Sequence, residues 1–97
     1  MKTATGKVIK AFRKHLNYKQ EFVADKLNIT IGILANIENG RAGLDIEKLY
    51  QISKLFDIAS GIIFDLIIEI YDTHEDHWLI NALKLIKTPP SNDDLIS

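Results

Sequence analysis

His74 and His77 stand three residues apart with Glu75 and Asp76 between them. On a helix this spacing puts both imidazoles on one face, a conceivable half of a metal site. A third ligand is not evident, and acidic residues in a first helical turn are favoured by the helix dipole alone, so no metal is expected. The chain has no cysteine, which excludes disulfides and thiolate ligands. It shows no nucleophile spaced with a base, no glycine-rich phosphate loop and no carboxylate pair in a cleft-forming arrangement. Trp78 lies in an amphipathic stretch and reads as packing, and His15, at the end of a helical segment, reads as a complement to the helix dipole. Neither an enzyme nor a cofactor is expected.

The charges suggest a different chemistry. The 97 residues carry a formal net charge of −1. Residues 1–56 nevertheless hold ten basic side chains against five acidic ones, a net of +5, and residues 57–97 hold two against eight, a net of −6. A polyanion is drawn to the first part and repelled by the second. Hydrophobic residues make up 46% and charged residues 26%, as in an ordinary globular protein of one domain. The longest apolar runs are broken by Asp65, Glu69 and Asp72, so no membrane span is expected. Residues Met1 to Gly6 lead into a charged amphipathic stretch without the pattern of a secretion signal, and a cytoplasmic protein is expected.

The elements that position these residues read as helices throughout. The apolar residues Val8, Ile9, Phe12 and Leu16 recur at helical spacing from about Thr5 to His15, with Lys7, Lys10, Arg13 and Lys14 opposite. A second helix covers about Lys19 to Leu27. Asn28 suits a left-handed cap, and Thr30 an N-cap for a third helix over roughly Ile31 to Asn39, closed by Asn39 and Gly40. Asp45 caps a fourth helix to Phe56, with Ile46, Leu49, Tyr50, Ile52, Ser53 and Phe56 at three- and four-residue steps. Ser60 caps a fifth to about Tyr71. Thr73, with Asp76 as capping-box partner, starts a sixth that runs to about Lys87, where Thr88, Pro89 and Pro90 stop it. Ser91 to Ser97 reads as a short polar tail.

Two short helices joined by a tight turn form a helix-turn-helix, and the segment Lys19 to Thr30 resembles the motif of the XRE/Cro-type, lambda-repressor-like regulators. The matching residues are Gln20, Ala24, Leu27, Asn28, Ile29 and Thr30. Ile37-Glu38-Asn39-Gly40-Arg41 is similar to the family's ending of the third helix, and Leu49, Ile52, Leu55, Phe56 and Ile58 to its fourth helix and the turn after it. The resemblance covers about Val8 to Phe64. It implies an all-α, lambda-repressor-like bundle of five helices with an added C-terminal helix. Residues 1–72 then form the DNA-binding domain around a motif at 19–39, and residues 73–97 a C-terminal helix and tail of the same domain.

The resemblance also implies roles for individual residues. Ala24 must be small because helices cross there. Ile29, Leu34 and Ile37 face inward, which turns Ile31, Gly32, Ala35 and Asn36 outward. In the family's docking mode Ile31, Gly32 and Asn36 face bases: Asn36 can pair with an adenine edge and Ile31 can touch a thymine methyl. Lys19 and Gln20 at a helix start, the Thr30 hydroxyl, and Asn39 and Arg41 beyond the third helix would hold phosphates. Arg13 and Lys48 would add longer-range attraction. Taken singly, Gln20 is a helix-start residue and Thr30 and Asn39 are caps. The spaced set points to double-stranded DNA. The family usually carries more polar side chains on this face, so two classes stay open. One is a dimeric, sequence-specific regulator, a repressor of phage, restriction-modification-controller, antitoxin or host type. The other is a protein-interaction module that keeps the fold and has lost base readout. In the fifth helix Ile62 to Tyr71 is apolar around some 240° of a helical wheel, with Asp65, Glu69 and Asp72 as a narrow polar stripe. By the register of the family that the chain resembles, Ile63 and Phe64 belong to the core made with the first four helices. The excess is expected to be covered by the sixth helix, by a second subunit in a homodimer, or by both.

Overall fold

A computed structural model describes residues 1–75 and 77–86. Among them the secondary structure is entirely helical: α1 (Lys2–His15), α2 (Gln20–Lys26), α3 (Ile31–Glu38), α4 (Ile46–Phe56), α5 (Ser60–Thr73) and α6 (His77–Leu85). None of these is long and apolar enough to cross a membrane.

The caps follow from side-chain chemistry. Thr30 accepts from the Ile33 amide at 3.1 Å and Asp45 from the Lys48 amide at 2.7 Å, each satisfying one of the free N–H groups of a first turn. Asn17, Asn28, Asp57 and His74 close α1, α2, α4 and α5 with positive φ, a conformation that short polar side chains tolerate better than branched ones. α1 begins three residues earlier than the hydrophobic spacing indicates, because Thr5 is drawn inward and its hydroxyl donates to the Met1 carbonyl. Ser60 is not a cap: Ala59 holds that position, and the Ser60 hydroxyl donates instead to Ser53 Oγ at 2.8 Å. Thr73 belongs to the last turn of α5, where its hydroxyl donates to the Glu69 carbonyl. Asp76 and the segment from Lys87 to Ser97, with the proline stop and the polar tail, lie outside the described residues.

The core is the side of α1 formed by Val8, Ile9 and Phe12, enclosed by Val23, Leu27, Leu34, Ile52 and Ile63, all essentially without solvent contact. Ala24 on α2 is buried, and α2 packs against α3. Gly6 is a second point of contact, and one that the residue pattern does not reveal. A Cβ there would come within 2.5 Å of the backbone oxygens of Ile37 and Glu38. α1 therefore lies directly on the end of α3, backbone to backbone.

α6 folds back on α5 and α1 as a hairpin arm. Its Leu79 is buried, with Leu83 and Ile86 packed against the same core, and His15 Nε2 lies 3.1 Å from the Ile86 carbonyl. Among the described residues the arm leaves part of α5 open. Phe64, assigned to the core from the sequence, is instead 46% exposed, and Tyr71 is exposed on the same flank. On α4, Ile46 and Tyr50 also face solvent despite their helical spacing. Ile46, Leu44, Leu49, Phe64 and Met1 line a shallow apolar groove of about 310 Å³ beside this flank.

Candidate nucleic-acid interface

The site is built outward from one buried carboxylate. Glu38, in the last turn of α3, lies inside the protein, its side chain 1% exposed. Its Oε2 accepts from Arg13 Nε at 2.6 Å, and its Oε1 accepts from Arg13 Nη2 and from Gln20 Nε2, each at 3.0 Å. Arg13 spends its remaining fork on the Tyr18 carbonyl at 2.9 Å. An isolated carboxylate in this place would be strongly disfavoured, and the bidentate guanidinium is what makes it tolerable. The network joins α1, the α1–α2 turn, the start of α2 and the end of α3. Arg13 is thereby removed from the surface and cannot serve as the longer-range attraction expected of it. Lys48 is half-buried.

Around this anchor the predicted residues fall into two groups. Gln20 is half-buried; one of its amide hydrogens goes to Glu38 and the other is left to donate outward. Lys19, the exposed N-cap residue of α2, is next to it in the chain, beside the free first-turn amides of that helix. Asn39 and Arg41 follow Glu38 directly. Both are exposed, and the Arg41 amide donates to the Asn36 carbonyl at 2.8 Å, which folds the loop back against α3. These four residues gather where the start of α2 meets the end of α3. Thr30, Ile31 and Gly32 lie at the other end of α3, about 12 Å away for eight residues of helix, with Asn36 exposed between the groups. The Thr30 oxygen accepts its cap bond and keeps its own hydrogen for an outside acceptor. Gly32 is open to solvent, and Ala35 is half-buried rather than outward.

Two members of the site were missed. Ile33 is 46% exposed, close to the 49% of Ile31; it stands on the opposite side of Gly32, and an apolar residue in a mainly apolar helix carries no sign of facing out. Glu38 reads as an ordinary surface acid, and only its proximity to Arg13 across 25 residues reveals its role. Ile29, Leu34 and Ile37 face inward as expected. At the far end of the molecule, His77 Nδ1 lies 3.0 Å from Glu75 Oε2, both exposed. Among the described residues no group of three or more His, Asp or Glu is placed to hold a metal ion.

This arrangement has counterparts among known proteins. Residues 6–66 match the helix-turn-helix domain family. No curated protein matches the chain. Among solved structures, the chain is similar to a tyrosine-to-phenylalanine variant of the restriction-modification controller protein C.Esp1396I. The two share 26% sequence identity with a TM-score of 0.65, over 76% of this chain and 94% of that one. A family match over more than half of the chain, on a fold that presents α3 above a polar and basic rim, decides the assignment: the chain belongs to the helix-turn-helix domain family and is an XRE-like DNA-binding regulator.

Proposed function

We propose that this protein binds a specific duplex sequence as a homodimer and represses transcription by occupying it. The observation that carries the reading is the Glu38 network. By bonding Gln20 it sets the start of α2 beside the end of α3, so that Lys19, Gln20, Asn39 and Arg41 flank a solvent-facing recognition helix. In this reading Lys19, Gln20, Thr30, Asn39 and Arg41 hold phosphate oxygens, and Ile31, Gly32 and Asn36 meet base edges in the major groove. The likeness to a restriction-modification controller supports a regulator of that general kind. The uncovered flank of α5 at Phe64 and Tyr71 supports a two-fold partner there, which would place two recognition helices on successive turns of DNA.

The test is the salt dependence of binding to random duplex DNA. Lys19→Ala and Arg41→Ala should each weaken binding to all sequences and reduce the slope of log affinity against log salt by about one. A slope that stays at the parent value in both variants removes these residues from the phosphate contacts. The uncharged outer face of α3 favours a second reading, an interaction module without base readout; failure to bind heparin and duplex DNA at low salt would establish it.

A further inference from the structure

We infer that the first turn of α3 reads the 5-methyl groups of thymine, and that the base pairs beneath it are A·T. The inference rests on the DNA-binding reading above and adds the chemistry of the sequence recognised. Glu38 is the only charged residue of α3, and it is buried in its ion pair with Arg13. The helix therefore offers neither Arg nor Lys to guanine, and no free carboxylate to cytosine. Its outward polar groups are the amide of Asn36 and, at the caps, the Thr30 hydroxyl and the Asn39 amide, which the reading above gives to phosphate; the two-pronged partner of the Asn36 amide is adenine. The rest of the exposed face is Ile31 and Ile33. On the floor of the major groove the one apolar group is the thymine methyl, so adenine and thymine satisfy both halves of the surface at once.

Gly32 strengthens the argument. A Cβ on it would meet only Thr30 Oγ1, at an ordinary 3.8 Å. Packing within the protein does not require glycine there, although glycine disfavours a helix relative to alanine. The gap lies midway between the two isoleucines, about 100° from each at 100° per residue. It is open to solvent at the end of the helix that enters the groove in this class of protein, and a methyl-bearing base edge can occupy it.

The experiment uses the full chain and a duplex selected from a random pool, resynthesised with uracil in place of each thymine in turn. Uracil keeps the hydrogen-bonding edge and lacks the methyl. The selected half-site should be A·T under α3, and one or two uracil positions should weaken binding about fourfold each, the worth of one buried methyl. Ile31→Ala and Ile33→Ala, both at exposed sites, should each erase the thymine–uracil difference at one position, whereas the parent keeps it. Equal affinity for thymine and uracil duplexes at every position, with binding otherwise intact, overturns the inference and leaves the DNA-binding reading standing. Full recovery of affinity by 5-methylcytosine·guanine at a sensitive position overturns the A·T assignment. Absence of binding to any duplex at low salt overturns both readings and makes the apolar face of α3 a protein contact.

Discussion

Glu38 and Gly6 hold the same joint from two sides. The carboxylate ties α3 to Arg13 and Gln20, and the glycine lets α1 lie against the carbonyls of Ile37 and Glu38. Gly6→Ala places a methyl where the neighbours are backbone and cannot turn aside. It should cost about 1–3 kcal/mol, as overpacking of a tight contact does. At about 4–8 °C per kcal/mol for a domain of this size, thermal denaturation followed by circular dichroism will show it; an unchanged melting temperature would mean that the two helices do not touch there. Neither residue was legible in the sequence in this role. A glycine near a chain start and an acid at a helix end are common, and their meaning depends on a contact across more than thirty residues for Gly6 and 25 for Glu38. Thr30, Asn28 and Asp45 were legible, because caps depend on neighbours within three or four residues.

α3 owes its pose to α2. The small Ala24 lets the pair close, and Leu34 and Ile37 then turn inward under it. Ala24→Leu should destabilise the protein by about 1–3 kcal/mol and, by rotating or lifting α3, weaken sequence-specific binding more than binding to random duplex. Urea denaturation together with the ratio of the two affinities separates these effects. A stability equal to that of the parent would remove Ala24 from the crossing. The positions of the first four helices were readable from spacing and caps. The outer face of α3 was readable only in part, since in a helix where five of eight residues are hydrophobic the period is blurred, and Ile33 looks no different from Leu34. In α5 it was the family's register that assigned Phe64 to the core, where it is instead 46% exposed.

At the scale of the whole molecule, α6 shields α5 only in part. Among the described residues Phe64 and Tyr71 are each 46% exposed and Ile46 85%, and a second copy would remove this apolar area from solvent. Sedimentation at tens of micromolar should give twice the 11.0 kDa mass of the chain, and Phe64→Glu should return it to the monomer without lowering its melting temperature by more than a few degrees. A parent protein that sediments as a monomer at that concentration in moderate salt ends the dimer proposal. Truncation after Asp57 is no substitute for this variant, because it removes Ile63, Ile67 and Ile70 from the core.

If the proposed dimer forms through α5, the exposed stripe of Asp65, Glu69 and Asp72 there would give it and the proposed phosphate binding opposite responses to ionic strength. Bringing two such stripes near one another would be opposed by their mutual repulsion, which added salt screens, so such a dimer should tighten as salt rises. Phosphate binding by the basic half loosens over the same range. Occupancy of a paired site at fixed protein concentration should therefore pass through a maximum rather than decline steadily. Below it the supply of dimer limits occupancy, and above it the grip of each half on the phosphates does.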